Sequence, residues 1–174
     1  MGLVVAGLMM SGSAVSLRRF GGQRLHLEFR TPFMPQARGQ ARGNSGVYIQ
    51  GLYEIQVLDS YGLKGEDNDC GGIYQLGRPL VNMCAPPLQW QTYDVTFHAA
   101  RYDATGKKLL DARITVLQNG VPIHQDLDLP HPTPGGIGAE NGEPAPLMLQ
   151  DHGDLVQYRN IWVEELPQEE SGRQ

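Results

Sequence analysis

Apolar and polar residues alternate with a period of two in several segments of this chain, and that alternation points to strands packed in layers. A strand sends successive side chains to opposite faces, so each such segment has one buried and one open face. In Leu25-His26-Leu27-Glu28-Phe29-Arg30 the apolar set is Leu25, Leu27 and Phe29, which leaves His26, Glu28 and Arg30 on the open face. Val47 and Ile49 alternate with Tyr48 and Gln50, and after Gly51 the run Tyr53 to Asp59 puts Ile55 and Val57 inward and Glu54 and Gln56 outward. Between Trp90 and Ala100, Tyr93, Val95 and Phe97 share one face and Asp94, Thr96 and His98 the other.

Turn residues fix how these strands connect. Asn119-Gly120 separates Ala112–Gln118 from Val121–Leu129, and both residues tolerate positive φ, so a type I′ hairpin is predicted there. After a Pro/Gly loop, His131 to Pro146, two more strands follow, Leu147–Gln150 and Val156–Glu164, joined by the tight turn Asp151-His152-Gly153-Asp154. Val4–Met10 and Ala14–Leu17 read as strands at the start of the chain. With 22 Gly and 12 Pro, and no amphipathic helical period, the expectation is nine or ten short strands in two antiparallel sheets, an all-β jelly-roll sandwich.

The 174 residues suffice for one core without disulfide staples. A single domain over residues 1–166 with a polar tail at 167–174 is expected. Two stretches lack any apolar period. Pro35 to Asn44 reads as a mobile connection, and Gly62 to Pro87 as a long surface excursion. Cys70 and Cys84 bracket part of that excursion and are either a disulfide or two free thiols, since their spacing is not that of a zinc site.

A formal charge of -5 leaves no basic field for a phosphate backbone, so nucleic acid is excluded as a partner. The opening MGLVVAGLMM is too short to span a bilayer and has no preceding basic residue, so it is no clear signal peptide. Phosphate-binding loops, HExxH helices and nucleophile elbows are absent, which removes nucleotide and serine-hydrolase chemistry.

Candidate site residues lie on the open faces. Glu54 and Gln56 share one, and a β-bulge near Val57-Leu58 brings Asp59 onto it. Paired carboxylates beside a sugar do glycosidic chemistry, one as acid and the other as base or nucleophile, although a solvated strand face looks the same in sequence. If the open faces belong to one concave sheet, His98, Glu28, Arg30, Glu54, Gln56 and Asp59 converge. His98 is then a base or ligand; alone it reads as a structural histidine. Asp151 and His152 read first as turn residues. Trp90, Tyr61 and Tyr74 are candidates to stack on a sugar ring.

An ordered set of motifs goes further: Leu27-Glu28-Phe29-Arg30, Asn44-Ser45-Gly46-Val47-Tyr48, Tyr53 to Ser60, Cys70-Gly71-Gly72-Ile73-Tyr74, Trp90 to Asp94, Leu149 to Gly153 and Arg159-Asn160-Ile161-Trp162. Together they resemble the 3-keto-disaccharide hydrolase domain family. The resemblance implies a concanavalin-like jelly roll related to laminarinase-type glycosidases, a glycoside or oligosaccharide substrate whose sugar carries a ketone at C3, and a periplasmic or extracellular location. It also implies an upstream first strand that this chain lacks, hence a truncated domain. Where laminarinases carry Glu-x-Asp-x-x-Glu, this chain has Glu54-x-Gln56-x-x-Asp59, a departure that disfavours ordinary retaining hydrolysis.

A 3-keto sugar offers another route, because the ketone acidifies the C2 hydrogen. The expectation assigns Glu54 or His98 as base and Asp59 as acid toward the leaving group. Arg30 or a bound divalent cation stabilises the enolate oxygen. Glu28, Arg30, Tyr48, Gln56, Tyr61, Gln150 and His152 are the expected substrate contacts. The competing readings are a carbohydrate-binding module without catalysis and an adhesion or scaffold domain.

Overall fold

In the computed structural model, which describes residues 12–167, the alternating segments form strands, and the only helical turn among the described residues is a 3-10 turn at Gly39–Ala41. The strands are β1 (Ala14–Phe20), β2 (Gln23–Arg30), β3 (Ser45–Ile49), β4 (Tyr53–Val57), β5 (Gln91–His98), β6 (Arg101–Tyr102), β7 (Lys108–Leu110), β8 (Ala112–Gln118), β9 (Val121–Leu129), β10 (Ala145–Leu149) and β11 (Gln157–Glu165). The strand expected at Val4–Met10 and most of the expected polar tail lie outside the described residues. The short β6–β7 hairpin was not foreseen, because two- and three-residue strands carry no measurable period.

Two antiparallel sheets pack face to face, with strand orders β1-β10-β3-β4 and β11-β2-β5-β8-β9, which is the expected jelly-roll sandwich. The alternation decides the packing. Leu25, Leu27 and Phe29 of β2 and Tyr93, Val95 and Phe97 of β5 meet Val47, Ile49, Tyr53, Ile55 and Val57 from the other sheet in one buried cluster. Tyr53 and Phe97 touch across the layer with ring centroids 5.5 Å apart. Each such side chain contributes about 1.5–3 kcal/mol of transfer free energy, so the shared core holds the two sheets together. The Asn119-Gly120 turn has both residues at positive φ, 52° and 78°, and joins β8 to β9 as predicted.

Both stretches without an apolar period are fixed by polar contacts instead, which is why periodicity could not place them. The excursion after β4 folds back along that strand: Gln56 and Gly71–Gly72 exchange backbone hydrogen bonds of 2.9 Å, and Tyr74 N–H donates to the Glu54 carbonyl. The otherwise free edge of β4 is thereby covered. The segment expected to be mobile, Pro35 to Asn44, is pinned through its 3-10 turn: Asn44 Nδ2 donates to the Gln40 carbonyl at 2.8 Å, and Gln40 Oε1 accepts from Gln56 Nε2 at 2.9 Å. Cys70 and Cys84 are free, buried thiols, with Cys70 Sγ 3.3 Å from the Tyr93 hydroxyl and 3.2 Å from Gln118 Nε2.

Candidate active site

Glu54 points away from the core on β4, as its place in the alternation requires, yet it is almost completely buried, at 4% exposure. The cover is a strap, residues 131–144, that crosses the outer face of the four-stranded sheet. Thr133 Oγ1 accepts the Glu54 N–H at 2.9 Å, Thr133 N–H donates to the Leu52 carbonyl, and Ile137 N–H donates to the Gly51 carbonyl at 2.7 Å. Further along, Glu140 receives the hydroxyls of Tyr53 and Tyr102 and the ammonium of Lys108. The strap approaches so closely that a Cβ on Gly135 would lie 2.7 Å from the Tyr48 hydroxyl.

Under the strap, Tyr48 from β3 stands beside Glu54, its cross-strand partner. The Tyr48 hydroxyl is 2.8 Å from Glu54 Oε2 and 3.0 Å from the Pro134 carbonyl oxygen, and it accepts from Gln150 Nε2 at 3.3 Å. Gly46, the other outward residue of β3, leaves the room that the Glu54 carboxyl occupies, since a Cβ there would fall on Glu54 Oε1. Burial disfavours the charged carboxylate and pushes the Glu54 pKa up to about 7, against the lowering effect of the Tyr48 hydrogen bond. Burial and the adjacent carboxylate push the Tyr48 phenol well above its ordinary value. Gln56 Oε1 and Gln150 Oε1, on the same side, are buried with no hydrogen-bond partner among the described residues. Orphaned buried acceptors of this kind are what a water or ligand hydroxyl satisfies.

Tyr48, Glu54 and Gln150 are thus joined by hydrogen bonds, with Gln56 on the same side of β4. Asp59 is different. Val57 and Leu58 are consecutive and both in the core, so the alternation slips where the sequence suggests a bulge and Asp59 lies beside the 3-10 turn that covers Gln56, but it is not free. Its side chain is fully buried and engaged by Arg42, Nε to Oδ2 at 2.7 Å. Tyr61 and His152 are exposed, and Tyr74 is partly buried and follows the Ile73 bridge to β4.

The convergence of all six open-face residues is not found. Glu28 and Arg30 on β2 and His98 on β5 belong to the five-stranded sheet, and their polar faces point away from the core that Glu54 also points away from. They therefore lie on the opposite outer face of the sandwich from Glu54. Glu28 is held by Arg159 Nε at 2.7 Å and Asn160 Nδ2 at 3.0 Å, which lower its pKa. Arg30 donates to Gln157 Oε1 and lies over the ring of Trp90, which Arg159 also covers. Arg30 is accordingly too far round the fold to act on a group bound at Glu54. The residues that sequence reasoning missed are Thr133, Pro134 and Gly135 of the strap, which read only as a Pro/Gly loop.

Among the described residues no group of three or more His, Cys, Asp or Glu side chains could hold a metal ion, and the donors around Glu54 are one carboxyl, a phenol and amides. That set does not fit a divalent cation. No helix among the described residues is long and apolar enough to cross a membrane.

No curated protein matches the chain. Among solved structures, a candidate glycosyl hydrolase from Parabacteroides distasonis is similar at 32% identity and a TM-score of 0.78, covering 88% of this chain and 68% of that one. Two further candidate glycosyl hydrolases of the same organism, at 22% and 19% identity, both have TM-scores of 0.60 and share the fold. They cover 88% and 90% of this chain, and 83% and 77% of their own. A family model matches residues 4–164. With the ordered strand motifs and the sandwich they build, this match shows that the chain belongs to the family of 3-keto-alpha-glucoside-1,2-lyase-like domains.

Proposed function

We propose that the chain cleaves glycosides whose sugar carries a ketone at C3, with Glu54 as the proton-transfer residue. One observation carries this reading: a single carboxyl, buried, raised to a pKa of about 7 and hydrogen-bonded to a phenol, beside two orphaned amide oxygens. A base with a pKa near the working pH is both ionised and strong enough to remove a carbon-bound proton.

The chemistry follows from the ketone. Glu54 takes the C2 proton, and the C–H electron pair becomes the C2–C3 double bond of an enolate with its charge on the C3 oxygen. Collapse of that enolate forms the C1–C2 double bond, restores the ketone and breaks the C1–oxygen bond. The proton now on Glu54 passes to the departing oxygen, so the carboxylate is regenerated. Addition of water across C1–C2 would turn elimination into net hydrolysis. Tyr48 donates to Glu54 and Gln150 donates to Tyr48, so both place donors beside the carboxyl, where they would stabilise charge that develops on a bound substrate. Asp59 is assigned no proton in this scheme, because its carboxylate is engaged by Arg42. Family membership supports the substrate class, and the export implied by the resemblance remains part of the proposal.

The test compares release of the aglycone from a 3-keto-glucoside and from its unoxidised parent. Cleavage of the keto compound alone, lost in Glu54→Gln, is expected. Binding of both compounds with cleavage of neither would overturn the enzyme in favour of a sugar-binding module.

A further inference from the structure

A cleft lies away from Glu54. About 480 Å³ in volume, it opens at the end of the sandwich between the β1–β2 turn, the end of β5, the β6–β7 hairpin and the far end of the strap. A volume of that size lies within the range of small-ligand sites.

What distinguishes this cleft is the state of its polar groups. Several wall residues are already engaged. Asp103 Oδ1 accepts from the Thr105 and Lys107 amides, Asp111 pairs with Lys108 at 3.3 Å, Arg113 pairs with Asp126 at 3.0 Å, and the Tyr102 hydroxyl donates to Glu140. The side chains of His98, Arg101 and Glu143 take part in no hydrogen bond or ion pair among the described residues, although all three line the cleft. Elsewhere on this fold arginines do find carboxylates, as in Arg18–Glu165 and Arg159–Glu28. Between the free polar groups lie Ala99, Ala100, Leu110 and Pro144, which give apolar wall.

We propose that this cleft is a second saccharide site, separate from Glu54, that holds an uncharged disaccharide or the non-reacting part of a longer glycan. A polyol suits it because each hydroxyl both donates and accepts, matching a cation, a carboxylate and an imidazole in one cavity, while the C–H faces of the ring meet the apolar wall. A strongly charged ligand would meet its own sign on one side, since Arg101 and Glu143 face the same space. His98, which the sequence marks as a base or ligand, is here a binding residue. The site does not depend on the Glu54 chemistry, because the strap between them is anchored through Glu140 to Tyr53, Tyr102 and Lys108.

The experiment is calorimetric titration of the whole chain with cellobiose, maltose and sucrose, none of which carries a ketone at C3 of a pyranose ring. Saturable binding of at least one, with Kd in the ~0.1–10 mM range, is expected. Arg101→Ala and His98→Ala should each weaken it at least about fivefold. Neither removes a contact that the fold uses, and unchanged thermal midpoints would verify that. Glu54→Gln should bind equally well. Absence of saturable binding for all three sugars overturns the proposal, as does binding that both cleft variants leave intact or that Glu54→Gln alone abolishes. None of these outcomes bears on whether a 3-keto-glucoside is cleaved, so failure of the second site and failure of the enzyme reading are distinguishable.

Discussion

Tyr48 lies with its hydroxyl 2.8 Å from Glu54 Oε2 and 3.0 Å from the Pro134 carbonyl, and it has one proton to give to two acceptors. When Glu54 is ionised the proton belongs to the carboxylate, because a charged acceptor makes the stronger bond. When Glu54 is protonated, its own O–H can donate to Tyr48 and the phenol proton is released to Pro134. The protonation of Glu54 and the fastening of the strap are therefore linked through one hydroxyl.

Glu54→Gln should lower kcat on a 3-keto-glucoside by roughly 10²–10⁴-fold, the range for loss of a positioned base. In the parent protein kcat should rise with pH through about 7 as Glu54 ionises. A pH–rate profile that is flat between pH 5 and 8, on the order of three units, would remove Glu54 as the base.

The same shift predicts a stability effect of definite sign. The folded pKa of about 7 exceeds the ordinary 4.5, so the folded state binds the proton more tightly than the unfolded chain does. This contribution to stability is fully present below the ordinary value and is lost as pH rises through about 7. It is on the order of 3 kcal/mol. Urea denaturation at several pH values should show the decline in the parent and a much flatter dependence in Glu54→Gln.

Tyr48→Phe removes the hydrogen bond that lowers the Glu54 pKa, so the acid limb of the pH–rate profile should move upward by roughly one unit, the equivalent of a hydrogen bond to a charged group. A packing role alone would lower activity without moving that limb. Hydrogen exchange of residues 131–137 at low pH should also speed up, since the strap loses the donor to Pro134.

Gly46→Ala should cost activity through space alone. The added methyl would fall on Glu54 Oε1 under the strap, and Gly46 does not have the positive φ that would add backbone strain. A drop in kcat of at least tenfold with a native circular dichroism spectrum is expected; parent-like kcat would mean that the carboxyl has room to move.

Asp59→Asn separates structure from chemistry. Removing one partner of the buried side of the Arg42–Asp59 pair should destabilise the fold by about 2–4 kcal/mol, while kcat of the folded fraction stays within about threefold of the parent. A thousandfold loss of kcat at unchanged stability would return Asp59 to the role of acid.

The period-two alternation determined the strands, their inner faces and the two-layer core, because side-chain direction in a strand depends only on local backbone geometry. It also placed Tyr48, Glu54 and Gln56 on one side of one sheet, since neighbouring strands joined by the short Gln50–Leu52 turn must pair in register. Alternation could not say which sheet each strand joins. That assignment, set by pairing between strands distant in sequence, separated His98, Glu28 and Arg30 from Glu54. Nor could it reveal that an open face is closed. The strap and the 3-10 turn are held by individual hydrogen bonds at Thr133, Ile137 and Gln40 and by the Arg42–Asp59 ion pair rather than by a repeating pattern. The shift in the Glu54 pKa arises from that closure, so the sequence supplied the carboxyl and only the tertiary structure brought its pKa near neutrality.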